Sequence, residues 1–324
     1  MTRHRKVLLS AVLAAVALPF GFVAFAAFHF RHVPYRIAER DRAPAFDPAA
    51  AAKGGLTLRY LGVSGYEVSD GKTTLLLDPT PTRPTVVDLL RPLRPDEALG
   101  ARLCPRADFI LVNHAHFDHI LDVPAIALRT GAAVVGSRSA VNLALSRGVP
   151  EDRTREAAPG AHFTLGTFTV DVRGSRHSAL PWSSNPMAGT IPRDARDLYY
   201  HEFRQDAVLS YRLEAAGTTI WFHPSSTYAP GELGGLPART LILGVSGEPV
   251  SVEKIRGLLD EAKPARVIPT HYDNFLQPIE RGLALLPEAE LSQAREAVLN
   301  SAAGVSWWMM DYDQKVAIPP DPVR

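Results

Sequence analysis

Short apolar runs, too brief for helices and closed by turn residues, alternate along this chain with longer stretches of helical periodicity. Residues 107–112 read Ala-Asp-Phe-Ile-Leu-Val and residues 132–135 read Ala-Ala-Val-Val, the composition of buried strands. Between them residues 118–129 have helical character until Gly131, a residue that ends helices because it enters the left-handed region without steric cost. The order strand, loop, helix, strand places residues 113–117 on a loop at the carboxyl end of a strand, where open α/β sheets hold their ligands.

A second pattern occurs twice. Residues 71–80 (Gly-Lys-Thr-Thr-Leu-Leu-Leu-Asp-Pro-Thr) and 217–226 (Gly-Thr-Thr-Ile-Trp-Phe-His-Pro-Ser-Ser) share a turn glycine, a threonine entry, three apolar residues, a polar residue and a proline. Each follows another strand-like run, residues 56–61 or 207–213, and the Asp70-Gly71 and Ala216-Gly217 steps read as hairpin turns. Two halves built alike, with strands buried on both faces, predict an α/β fold of two facing mixed β-sheets with outer helices. Helices are expected at residues 118–129, 139–147, 252–262 and 288–300.

The amino terminus has a different pattern. Arg3, Arg5 and Lys6 precede an uncharged apolar run over residues 7–28, and at about 1.5 Å per residue a helix of that length spans a hydrocarbon core of about 30 Å. A single anchor within residues 1–30 is therefore expected, in a bacterial-type inner membrane with the remaining chain exported to the periplasmic or extracellular face. Small residues at Ala24-Phe25-Ala26 make cleavage and secretion the second choice. Residues 31–53, rich in Arg, Ala and Pro, read as a linker, and residues 54–324 as one domain large enough for a substantial core.

With 35 Lys and Arg against 34 Asp and Glu, the chain lacks the basic footprint of a nucleic-acid binder. Cys104 is the one cysteine, so no internal disulfide forms. The chemistry lies elsewhere: residues 114–119 read His-Ala-His-Phe-Asp-His, although only 11 histidines occur in 324 residues. So dense a group of imidazoles and a carboxylate points to a metal site. His114 and His116, two apart in extended chain, project to one side and can grip one cation, whereas Asp118 and His119 follow the bend and point elsewhere. Imidazole nitrogen with one carboxylate suits zinc, with iron or manganese as alternatives, and one or two ions. The remaining ligands must come from more distant parts of the chain.

At His114, His116, Asp118 and His119 the sequence resembles the metallo-β-lactamase superfamily, whose His-x-His-x-Asp-His signature is matched at all four positions. The likeness covers about residues 54–316 and is nearest in flavour to the UlaG-like and N-acylphosphatidylethanolamine phospholipase D-like branches. It includes residues 56–62, residues 73–79 with Asp78 at an acidic outer position, and residues 267–273. The resemblance implies a four-layer αββα sandwich of the metallo-β-lactamase type. It also implies one metal on His114, His116 and His177, and a second on Asp118, His119 and His271. The family's bridging aspartate is absent, and Ser225 stands at the matching place, with His223 two residues earlier.

A bound dication lowers the pKa of water to about 7 and polarises a carbonyl or phosphoryl oxygen, so hydrolysis follows, with Asp118 as the catalytic residue that orients the water or takes its proton. The expected substrate is an ester, phosphodiester or amide of a small molecule or lipid. Ser225 keeps a second reading open, a non-catalytic metal-binding or scaffold protein of the same fold. Thr270 and Asp78 are candidate outer partners of the histidines, and residues 181–186 and 199–201 are candidate pocket rims.

Overall fold

The computed structural model describes residues 21, 23–52, 54–179 and 185–322. Its strands are β1 (Leu56–Gly62), β2 (Gly65–Ser69), β3 (Thr74–Leu77), β4 (Phe109–Leu111), β5 (Ala133–Gly136), β6 (Thr154–Glu156), β7 (His162–Leu165), β8 (Phe168–Ser175), β9 (Val208–Ala215), β10 (Thr218–His223), β11 (Thr240–Gly244), β12 (Arg266–Thr270), β13 (Ser306–Trp307) and β14 (Lys315–Ile318). They form two seven-stranded sheets, ordered β14-β1-β2-β3-β4-β5-β6 and β13-β12-β11-β10-β9-β8-β7.

The sequence repeat is a repeat of topology. β2 and β3 pair antiparallel across one hairpin, and β9 and β10 across the other. Two parallel neighbours follow in each half, β4 and β5 in the first and β11 and β12 in the second. Each sheet is thus mixed, its parallel strands joined by crossovers that carry helices except between β10 and β11.

Alternation along β3 shows how the layers are filled. Leu75 and Leu77 lie in the apolar cluster shared with Leu209, Tyr211, Phe222 and Ile268 of the opposite sheet. Leu76, pointing the other way, joins Ile126, Ala140 and Leu143 of the outer helices. A strand apolar on both faces is what a doubly covered sheet requires. On the second sheet's outer side, helices Val252–Ala262 and Leu291–Ser301 contribute Leu258, Leu259, Ala294 and Val298. The result is the expected α/β sandwich of two facing mixed sheets with helices outside.

The expected helix over residues 118–129 is broken into Phe117–Ile120 and Val123–Thr130. Pro124 sits at the start of the second piece, where its missing N–H costs nothing. The Asp122 carboxylate at the break accepts from Thr82 N at 3.1 Å and Thr82 Oγ1 at 2.5 Å. Burial pushes that carboxyl up to about 7, against those hydrogen bonds and nearby Arg83. Gly131 ends the second piece at φ 79°.

The anchor expected within residues 1–30, and the exported inner-membrane location that rested on it, are corrected: among the described residues no helix is long and apolar enough to cross a membrane. Residues 1–20 and 22 of that segment lie outside the described residues. Of the rest of the apolar run, Ala26 is buried and Val23 and Phe30 are partly buried against the outer apolar cluster that also holds Leu276, while Phe25 and Phe28 are exposed. The Phe30 carbonyl accepts from Asn274 Nδ2 at 2.9 Å and Gln277 Nε2 at 2.6 Å. The second choice, secretion after cleavage at residues 24–26, was part of the same location reading; in the structure Ala26 is buried against the domain. Hydropathy alone does not register that this segment is tied to the domain by polar contacts on the Phe30 carbonyl and by the buried Ala26, both made with distant parts of the chain.

Residues 31–53 also carry contacts. Ile37 and Ala43 are buried, Ala43 N and Met309 N exchange backbone hydrogen bonds with Met309 O and Asp41 O, and Asp41 pairs with Arg295. Ile37→Ala and Asp41→Ala are each expected to cost about 1–3 kcal/mol, one through a cavity and the other through a stranded partner. Urea unfolding checks this, and unchanged midpoints for both variants would mean that the segment is only a tether.

Candidate metal centre

The ligand candidates all lie just beyond carboxyl ends of strands, on one edge of the sandwich. His114, His116, Asp118 and His119 follow β4, His177 follows β8 and His271 follows β12. Folding brings the distant pair to the local cluster. One nitrogen from each of His114, His116 and His177 falls within 4.8 Å of the others, and the same holds for ligand atoms of Asp118, His119 and His271. The two trios adjoin, because the His114 and His119 ring centroids are 4.0 Å apart.

Each imidazole has one nitrogen on a partner outside the two trios. His114 Nδ1 meets Asn113 Oδ1 at 2.5 Å, His119 Nδ1 meets Asp78 Oδ2 at 2.7 Å, and His177 Nδ1 meets Ser178 O at 2.6 Å. His271 Nδ1 meets Ser246 Oγ at 2.8 Å, and His116 uses Nε2 on Pro186 O at 3.2 Å. Such outer contacts fix ring orientation and leave the second nitrogen for the centre. His114 Nε2 is buried and has no hydrogen-bond partner, a costly arrangement unless something else occupies that lone pair.

Backbone geometry supports the same point. Asp78, Val63 and His271 have φ of 40°, 54° and 58°, each in a left-handed region that costs a non-glycine residue roughly 1–2 kcal/mol. The Val63 carbonyl compensates by accepting from both His271 N at 2.7 Å and Thr270 Oγ1 at 2.8 Å. Thr270 therefore braces the backbone and does not touch a histidine ring in this arrangement. Asp273, fully buried, holds the same turn by accepting from Tyr60 OH at 2.6 Å and Val63 N at 2.7 Å.

Electrostatics separate the trios. Burial, reinforced by the other imidazoles, pushes His114 well below its ordinary value, and burial beside His177 pushes His116 down to about 3. Burial also lowers His177. His119 goes the other way, because Asp118 and Asp78 outweigh its burial. Burial would raise Asp118, yet His119 and the 3.1 Å contact from His271 Nε2 hold it below the usual carboxylate range. One trio is thus a set of neutral nitrogen donors and the other contains a carboxylate kept ionised, a donor chemistry that fits a borderline dication.

Ser225 and His223 belong to neither trio. Ser225 Oγ donates to Arg176 O at 2.5 Å and contacts Thr227 Oγ1 at 2.8 Å. His223 is fully buried, with Nε2 on Thr227 O at 2.9 Å and Nδ1 3.6 Å from Glu232. Of the candidate rims, residues 181–184 lie outside the described residues, while Pro186 touches His116 through its carbonyl. Tyr200–Glu202 forms a short helical turn that Tyr199 caps. Asn113 and Ser246 escaped the sequence reading, which named Pro186 only as part of a rim. Asn113, directly before the cluster, was the one with a local signal.

Comparisons with known proteins agree with this picture. A family model described as the beta-lactamase superfamily domain matches residues 73–272. A protein of Symbiobacterium thermophilum named a metal-dependent hydrolase is 37% identical over 228 residues, covering 68% of this chain and 85% of its own. Another so named, from Myxococcus xanthus, is 28% identical over 298 residues, covering 89% and 92%. Among solved structures, the metallo-β-lactamase fold protein YhfI of Bacillus subtilis superposes with a TM-score of 0.51 at 14% identity, covering 80% of this chain and 98% of its own.

Two outcomes are expected. Asp78→Asn should weaken metal binding about 10–100-fold, the usual cost of losing an outer partner of a histidine ligand, measured by competition with a chromophoric chelator. The metal-free protein should lose stability as pH falls from about 6.5 towards 3, since the unfolded chain then protonates His116 and the folded one does not. His116→Gln should flatten that profile in chelator-containing buffer, and an unaltered slope would contradict the shift.

Proposed function

We propose, from the premise that this chain belongs to the metallo-β-lactamase superfamily, that it is a metal-dependent hydrolase acting on an ester, phosphodiester or amide bond of a small molecule. The observation that carries the reading is His114 Nε2, buried without a partner inside a set of imidazoles whose other nitrogens are already taken. His114, His116 and His177 are the ligands of one ion, and Asp118, His119 and His271 those of a second, with zinc favoured by the nitrogen-rich donor set. When bound, such an ion supplies a water ionised near neutral pH and a Lewis acid for the scissile oxygen.

The chain's own residues do the rest. Asp118, ionised and 3.1 Å from His271, orients the attacking water and receives its proton. Asp78 and Ser246 hold His119 and His271 in fixed orientations, so little reorganisation is needed during the reaction. The relatives' names as metal-dependent hydrolases support the reaction class.

The test is metal analysis of the full chain followed by a panel of phosphodiester, lactone and acyl-amide substrates. Bound metal and turnover that both fall after chelation are expected. His116→Ala should lower kcat/KM at least about 100-fold, since it removes a ligand from the water-activating site. Near-stoichiometric metal without turnover on any substrate would overturn the hydrolase reading.

A further inference from the structure

A cavity of about 500 Å³ opens beside His177, between the end of β8 and the start of β9. Its charged lining residues are Arg176, Asp206, Glu248 and Lys254, and three of the four are engaged. Lys254 Nζ binds Glu248 at 2.9 Å, and Glu248 also accepts from Ala179 N at 2.9 Å. Asp206 accepts from Ser137 Oγ at 2.7 Å and Ser139 N at 3.2 Å, at the start of helix Arg138–Ser146, where the helix dipole favours an anion. The Arg176 guanidinium, exposed and next in sequence to His177, has no side-chain hydrogen bond or ion pair among the described residues.

A second group on the cavity wall is also unsatisfied. Gln205 is 3% exposed, and its Nε2 donates to Asn185 Oδ1 at 3.0 Å and to Pro186 O at 3.1 Å. Pro186 O is the same carbonyl that holds His116. Gln205 Oε1 is buried with no partner. A buried acceptor without a donor carries a desolvation cost that a ligand donor would remove. The cavity therefore offers an unpaired cation, and in its wall a buried hydrogen-bond acceptor without a donor, next to a candidate metal ligand and within the volume range of small-molecule sites.

We infer that this cavity is the substrate-recognition pocket, and that it selects small molecules bearing an anionic oxyacid group, carboxylate or phosphate, together with a hydrogen-bond donor near the scissile bond. Arg176 takes the anion and Gln205 Oε1 takes the donor. The inference rests on the hydrolase reading for its placement beside the reacting bond, but Arg176 and Gln205 have their own readout in binding.

The test compares the full metal-loaded chain with Arg176→Gln, a substitution at an exposed side chain outside the ligand trios. Binding of inorganic phosphate and of acetate by calorimetry is expected to weaken about tenfold in the variant, the usual scale for one charge-assisted contact. In turnover, KM for bis(p-nitrophenyl) phosphate should rise about as much with kcat little changed, while a neutral nitrophenyl ester is unaffected. Gln205→Leu should raise KM for a substrate with an N–H donor more than for the neutral ester, whose change reports the loss of the Gln205 contact on the Pro186 carbonyl. Equal anion affinity in wild type and Arg176→Gln overturns the pocket assignment whether or not any substrate turns over. Absence of turnover with the binding difference intact counts against the hydrolase reading alone.

Discussion

The centre depends on one buried carboxylate. Asp78, at the end of β3, accepts from Asn113 N at 2.6 Å through one oxygen and from His119 Nδ1 at 2.7 Å through the other. It thereby ties the start and the end of the histidine loop to the neighbouring strand. Burial raises its pKa and the His119 contact opposes that rise, so the residue is stable there only with both partners in place. Its left-handed backbone lets the chain turn away at Pro79 while the carboxylate stays over β4. Displace this group and both trios lose a common reference, because His114 and His119 lie on the loop it fixes.

Much of this was legible locally. The Asp70-Gly71 and Ala216-Gly217 turns, the apolar runs of β3 and β10 and the histidine cluster are all signals spanning ten residues or fewer, and each came out where the pattern put it. His177 and His271 carry no such signal; they were reached through family likeness, since their relation to residues 114–119 exists only after β8 and β12 have packed. The same limit explains the break at Asp122, set by Thr82 some 40 positions away. It also explains part of the amino-terminal run, where Ala26 is buried and the Phe30 carbonyl is held by Asn274 and Gln277, far along the chain.

The cluster is unfavourable as a set of side chains alone. Three of its buried imidazoles are driven towards the neutral form, and crowding each beside the others would make protonation still more costly. A metal ion changes the sign of the problem, since neutral imidazoles are then donors and the penalty becomes binding energy. The outer contacts on Asn113, Ser178, Ser246 and Pro186 are compatible with that state because each leaves the opposite ring nitrogen available.

The two halves of the fold put their repeated strand ends to different uses. Asp78 after β3 and His223 at the end of β10 occupy equivalent places in the sequence repeat, yet Asp78 braces a ligand and His223 turns to Thr227 O. Beyond them, Ser225 spends its hydroxyl on Arg176 O, so Asp118 is the single carboxylate among the six candidate ligands. The charge of Asp78 is committed to His119. One dication would be balanced by Asp118 and Asp78, whereas two would leave the centre positive. At the mouth beside His177, Lys254 is matched by Glu248, and Asp206 is held by Ser137 and Ser139, which leaves the Arg176 guanidinium without an ion-pair partner among the described residues. A doubly loaded centre without a bridging carboxylate and an unpaired guanidinium act in the same direction, drawing anionic molecules to the site.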